Sequence, residues 1–313
     1  MISEEVLTEV LSQLQCPPSC AELLGGYNDN VFEVGREEKI VVKIMESSVY
    51  SYASQRAELE WLDYLHAQGV KVVKPLRLKS GNYIQPISND FYFITFEKIN
   101  GLHPSPRDKD VWGPTLFELW GEAMGKIHTA AKNYVPTSNH PHWYQNSLLL
   151  QIHSIQLDPL IMKKWNSYDK QLKKLPRTKD YYGLIHGDLH HGNFLITGND
   201  LTIIDFADSE HHWFAYDVAI AIYHTAHTVP KLDRKEFVKG FVYSFMNGYT
   251  RANSNTTFLS QIDDFINYRH LFSYTYHTLN ADKSQLTEQQ HEYLHEMELS
   301  LLTKSSYLGF SVI

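Results

Sequence analysis

Asp188, Asn193 and Asp205 are the residues of this chain whose types and spacing could do chemistry together. They lie in the stretch Leu184 to Asp205, LIHGDLHHGNFLITGNDLTIID, with Asp188 five residues before Asn193 and Asp205 closing a second apolar run. Two carboxylates and an amide so arranged suit phosphoryl transfer. That reaction needs a carboxylate beside an acceptor hydroxyl, and oxygen ligands for the magnesium that neutralises nucleotide phosphates. Between them, Phe194 to Ile196 and Leu201 to Ile204 are short β-prone runs parted by the turn formers Gly198, Asn199 and Asp200. A hairpin is therefore expected, with Asn193 and Asp205 emerging at the same edge.

These residues resemble the aminoglycoside phosphotransferase and choline kinase group, which has a protein-kinase-like fold. HGDLHHGN is similar to its catalytic loop and IIDFAD to its metal-binding segment. The resemblance implies Asp188 as catalytic base, Asn193 and Asp205 as magnesium ligands, and His186 as a buttress of the loop. It runs from about Leu23 to Tyr223; beyond that the chain matches only in helical character. Asp208, just after the metal segment, would either assist the metal or end the strand. Asp217, at the start of the apolar segment WFAYDVAIAIYH, could cap a helix, and the resemblance makes it an anchor of the catalytic loop.

A kinase reading demands a lysine in a strand near the phosphates and a glutamate on a helix to pair with it. Lys39 to Met45 reads KIVVKIM, so Val41, Lys43 and Met45 share one strand face and Ile40, Val42 and Ile44 the other. An ammonium on such a strand needs an anionic partner. The following helix, about Ser51 to Gln68, offers Glu58 and Glu60 on different faces. Glu58 shares its stripe with Leu62 and Leu65 and is the expected partner, with Glu60 as the alternative.

Upstream, LLGGYNDNVFEV between Leu23 and Val34 resembles the family's nucleotide-covering turn, although no GxGxxG is present. Backbone amides around Tyr27, Asn28 and Asn30 could approach phosphate. Downstream, Tyr83 to Ile87 and Phe91 to Phe96 read as strands. The segment FEKINGLHP then breaks regularity, and by resemblance backbone groups of Glu97, Lys98 and Ile99 meet the adenine edge, with Val41 lining the cleft.

With 313 residues, 43% hydrophobic and 20% charged, the chain is ample for a packed core. The expected class is α+β, a protein-kinase-like two-lobe fold: a small β-rich nucleotide-binding lobe over 1–98 and a larger, mainly helical catalytic and substrate-binding lobe over 99–313. Val6, Leu7, Val10, Leu11 and Leu14 mark a first amphipathic helix. Helical patterns also cover Leu116 to Asn133, Phe214 to Thr228, Glu236 to Tyr249 and about Leu259 to Leu279.

No apolar stretch approaches bilayer length, and the N-terminus lacks a basic region before an apolar one, so a cytoplasmic protein without membrane partner is expected. Cys16 and Cys20 are read as reduced thiols. A net charge of −8 argues against nucleic acid. The expected cofactors are ATP and Mg2+, and the partner a small hydroxyl-bearing molecule: an aminoglycoside, an amino alcohol or a related metabolite. Asp263, Asp264, Asp282, Glu288 and Glu292 could receive a cationic amine, or form an ordinary solvated surface. Trp143, Trp165, Trp213 and Tyr274 could wall a pocket, or be core.

Two other classes compete. The histidines 186, 190, 191, 211 and 212 invite a metal-dependent hydrolase, which would leave Lys43, Glu58 and the small lobe without a role. A catalytically silent nucleotide-binding module is the other, and the completeness of Lys43, Asp188, Asn193 and Asp205 speaks against it.

Overall fold

A computed structural model describes residues 2–26, 29–282, 284–303 and 305–313. In chain order its helices and strands are α1 Glu4–Gln13, β1 Ala21–Gly25, β2 Val31–Val34, β3 Ile40–Glu46, α2 Tyr52–Ala67, β4 Pro75–Leu76, β5 Ile84–Pro86 and β6 Phe91–Glu97. There follow α3 Pro114–Ala131, α4 Ser147–Gln151, α5 Pro159–Leu172, β7 Tyr182–Leu184, β8 Phe194–Thr197, β9 Asp200–Ile203, β10 His211–Trp213, α6 Phe214–Ala226, α7 Arg234–Ala252, α8 Ile262–Asn280 and α9 Glu288–Leu302. The chain forms two compact units. One comprises Met1–Leu102, Tyr134–His140 and Leu195–Ala207; the other His103–Asn133, Pro141–Phe194 and Asp208–Ile313. Among the described residues no helix is long and apolar enough to cross a membrane.

The first unit is built on an antiparallel sheet of order β1-β2-β3-β6-β4, with β5 also paired to β6. The period-2 pattern of β3 sorts its side chains as its sequence predicts. Val42 and Ile44 turn to a core shared with Phe32, Val34, Phe93 and, from α1, Val10 and Leu11. Helix α1 forms because Ser3 caps it, accepting the Val6 N–H at 3.3 Å, and Glu4 and Glu5 complement the positive end of its dipole. Helix α2 is capped in the same way by Ser51 and buries Leu59, Trp61, Leu62 and Leu65.

In the second unit the apolar α6 is buried along nearly its whole length and packs against α8. Helices α3 and α7 make an unusually close pair, because Gly121, Gly125 and Gly248 let the two backbones touch. A Cβ at Gly248 would stand 1.9 Å from the Glu118 carbonyl oxygen, and one at Gly121 1.9 Å from that of Phe245. Neither obstacle is a side chain that can swing aside. Gly248→Ala is therefore expected to lower stability by at least about 2 kcal/mol as the helices are forced apart. Thermal unfolding reads this directly, and an unchanged melting temperature would contradict the close approach.

Candidate active site

The loop from His186 to Asn193 is positioned from below. Strands β7 and β10 pair antiparallel, Tyr182 with Trp213 and Leu184 with His211, and the Ile185 N–H donates to the Glu210 carbonyl at 3.0 Å. That ladder brings the loop's first residues onto the start of α6, where Asp217 is fully buried. The amides Asp217 accepts are not those of its own helix, as a capping role would require. They are the N–H groups of His186 at 3.2 Å and Gly187 at 3.1 Å. Behind it, His128 Nε2 lies 3.1 Å from Asp217, His128 Nδ1 2.8 Å from the Tyr249 hydroxyl, and Asn253 donates to that hydroxyl at 3.0 Å. Burial holds His128 below its usual pKa even beside the aspartate, so this is a neutral imidazole in a satisfied buried network.

Gly187 makes the turn possible. Its φ is +85° and a Cβ there would come within 2.1 Å of the Asp208 carbonyl oxygen. His186 Nδ1 accepts the Asp188 N–H at 3.3 Å, which is the buttress expected of it. Asn193 folds back on the loop, its amide donating to the Asp188 carbonyl at 2.8 Å.

Asp188 itself is one-quarter exposed and surrounded by nitrogen. Arg269 Nη2 donates to Oδ1 at 2.6 Å, His190 Nε2 lies 3.4 Å from Oδ2, and His224 Nε2 3.9 Å from Oδ1. Burial would raise the carboxyl's pKa, but the Arg269 guanidinium and then the two imidazoles outweigh it and hold it well below the carboxylate range. Neither Arg269 nor His224 was singled out from sequence. Arg269 is 81 positions from its partner, in a stretch that reads as an ordinary amphipathic helix.

In the other unit, Lys43 pairs in register with Val31 and Ile94 at the centre of the sheet. Its Nζ lies 3.0 Å from Asp205 Oδ1. Burial pulls this ammonium down, but the Asp205 and then the Glu58 carboxylates overcome it and raise it. Lys43's direct ion pair is thus with Asp205, whereas the expected brace, Glu58, acts through its field while accepting Gln55 Nε2 at 2.9 Å. Burial in turn raises Glu58 against the pull of Lys43. Glu60, the alternative, instead accepts the Thr137 hydroxyl at 2.8 Å and the Thr137 N–H. Asp205 adopts φ +61°, a left-handed backbone that aspartate tolerates better than most residues.

The remaining expected nucleotide contacts divide. Tyr27 and Asn28 lie outside the described residues. Asn30 is buried and its amide donates to the Ile44 carbonyl at 2.8 Å, so its side chain ties β2 to β3. Val41 is half-buried beside Glu33 and Phe96 in register. The Glu97 N–H is already given to the Lys74 carbonyl at 2.9 Å, which completes the sheet edge and withdraws that donor from an adenine. The Lys98 ammonium lies 2.6 Å from the buried Glu33, and Ile99 lines a small cavity of about 220 Å³ with His66, Val70, Val72 and Thr202.

Among the described residues, no three His, Cys, Asp or Glu side chains converge as a metal cluster. The histidines that suggested a hydrolase serve the fold: His190 Nδ1 accepts the Gly192 N–H at 3.0 Å, His212 Nδ1 the Trp213 N–H at 2.9 Å, and His211 stacks on His142. A carboxylate and an amide fit magnesium, which takes hard oxygen donors and usually only one or two protein carboxylates. Trp143, Trp165, Trp213 and Tyr274 are buried and belong to the core. Asp263 accepts from Ser311 and from the Val312 N–H, so it ties down the C-terminal segment.

The model of the phosphotransferase enzyme family matches residues 19–252. Amicoumacin kinase of Bacillus subtilis (strain 168) is 28% identical over 303 residues, 93% of this chain and 89% of its own length. The structure of amicoumacin kinase hAmiN in complex with AMP-PNP, Ca2+ and Ami aligns with a TM-score of 0.85 at 25% identity, over 96% of both chains. The microcompartment-associated aminopropanol kinase aligns with 0.74 at 17% identity, over 95% of both chains, a likeness of fold.

Proposed function

This chain belongs to the phosphotransferase enzyme family and transfers phosphate from ATP to a hydroxyl of a small molecule; we propose that the acceptor is an amino alcohol of the amicoumacin or aminopropanol kind. We assign Asp188 to the acceptor hydroxyl, Lys43 to the nucleotide phosphates under the field of Glu58, and the backbone of Lys98 and Ile99 to the adenine edge. Asn193 and Asp205 are assigned as the residues that would offer oxygens to magnesium. The chemistry that ion would supply is neutralisation of charge on the phosphate oxygens.

In the reaction the acceptor oxygen forms a bond to the γ-phosphorus while the bond from that phosphorus to the β,γ-bridging oxygen breaks, and ADP departs with the electron pair. The hydroxyl proton passes to Asp188. Because Arg269 lowers the basicity of this carboxylate, it takes the proton late, once the new bond has made the hydroxyl acidic. Most of the acceleration comes from orientation and charge neutralisation rather than from proton removal.

The observation that carries this reading is the pairing of the two motifs with separate partners: Lys43 with Asp205 at 3.0 Å, and the Asp188 loop anchored through the Gly187 N–H on Asp217, with Asn193 folded against it. Release of ADP from magnesium and ATP, measured across amicoumacin, aminopropanol, aminoglycosides and neutral sugars, tests it. Stimulation by the amine-bearing alcohols is the expected result. Stimulation by neutral sugars alone, or by no acceptor at all, would refute the assignment.

A further inference from the structure

We propose that Arg269 is the residue that positions Asp188 toward the acceptor hydroxyl, an inference that rests on the phosphotransfer reading above. Arg269 lies on α8, beyond residues 19–252 that the family model matches. Its guanidinium is nine-tenths buried, with Nη2 2.6 Å from Asp188 Oδ1 and 3.0 Å from His224 Nε2. The Phe272 ring lies 5.6 Å from its Cζ. The charge-assisted bond takes up Oδ1 and fixes the carboxylate plane. Oδ2, turned toward His190 and the Asn193 amide at 3.5 Å, is left as the oxygen to meet the acceptor.

Stability alone does not account for an arginine here. Burying a guanidinium is expensive, a buried ion pair is seldom better than apolar packing of the same size, and the Arg269 Nε is buried without a hydrogen bond among the described residues. The placement makes sense for orientation. Without the guanidinium the carboxylate would keep only the longer contacts to His190, the Asn193 amide and His224, at 3.4, 3.5 and 3.9 Å, and could rotate about its Cβ–Cγ bond; a misplacement of 1 Å at a reacting group can cost about 100-fold in rate.

Arg269→Met and Arg269→Lys test this with the full chain, magnesium, ATP and the best acceptor. The methionine variant is expected to lose about 10- to 100-fold in kcat, with the thermal shift by AMP-PNP unchanged. The lysine variant should recover part of the loss, and added guanidinium chloride at non-denaturing concentration should rescue the methionine variant saturably. A near-normal kcat in a folded Arg269→Met, or a lysine variant no better than methionine with no rescue, would overturn the proposal. A second measurement does not depend on turnover: thermal unfolding of Asp188→Ala, which removes the acceptor of the Arg269 bond, Arg269→Met and the double variant. Destabilisations less than additive in the double variant are expected, and additive ones would overturn the pairing. Absence of turnover in the wild type would instead fail the phosphotransfer reading, with the unfolding cycle still deciding the pair.

Discussion

Asp188→Asn is expected to lower kcat by about 100- to 10,000-fold while AMP-PNP with magnesium still raises the unfolding temperature as in the wild type. The two halves of this result have separate physical causes. The amide oxygen of asparagine can still accept from Arg269 Nη2, which now sits 2.6 Å from Oδ1, and the loop keeps its His186 and Asp217 anchors. What is lost is an oxygen able to receive the acceptor's proton. Lys43 and Asp205, which carry the proposed nucleotide contacts, pair with each other in the other unit and do not depend on residue 188. Steady-state kinetics with the best acceptor and a thermal-shift titration with AMP-PNP decide the matter. A folded variant turning over at the wild-type rate would remove Asp188 from the chemistry, and one that no longer responds to nucleotide would give it a different role.

What could be read from the residues was what local rules govern. The hairpin over Phe194 to Ile203 follows from two β-prone runs around Gly198 to Asp200, and β3 from the alternation that sends Val42 and Ile44 to one face and Lys43 to the other. Glu58 was separable from Glu60 because its stripe continues through Leu62 and Leu65, which are buried. Helix α5 carries the same local signals: Asp158 is its cap, Pro159 its first residue, and Ile161, Trp165 and Leu172 its buried stripe. Other features were beyond a local pattern. The β7–β10 ladder joins segments that share no motif, and the Glu97 N–H is withdrawn from the adenine edge by Lys74. Arg269 meets Asp188 only because α8 packs on α6, and no spacing rule connects positions 81 apart. The acidic bias near the C-terminus left an amine site and an ordinary solvated surface both open, and of its residues Asp263 serves the last residues of the chain.

Glu210→Gln is expected to make the protein more stable than the wild type at neutral pH and above, and much less so in mild acid. Glu210 is buried, and the only hydrogen-bond partner of its carboxyl among the described residues is the Asn146 amide, 3.1 Å from Oε2. Burial, aided by the fields of Asp208 and Asp217, pushes its pKa from 4.5 up to about 8 against the Asn146 hydrogen bond and the pull of Arg269. Below pH 4.5 both folded and unfolded chains carry the proton, so the site contributes its full stability. As pH rises from there toward 8 the unfolded chain releases the proton and the folded chain keeps it, so each pH unit lowers stability by about 1.4 kcal/mol. Glutamine holds the Asn146 contact without that penalty. Across the window the variant should gain on the order of 4 kcal/mol relative to wild type, a difference in melting temperature of roughly 10 °C. His140 and His191, which burial lowers to about 4, pull the other way below pH 6.5, but they do so in both proteins and cancel in the comparison. Unfolding curves of the two proteins at pH 5 and pH 8 are sufficient, and a pH-independent difference between them would show that Glu210 is ionised in the folded state. An ionised Glu210 would also compete with Asp188 for the field of Arg269, whereas a neutral one leaves that guanidinium's charge to the carboxylate it touches.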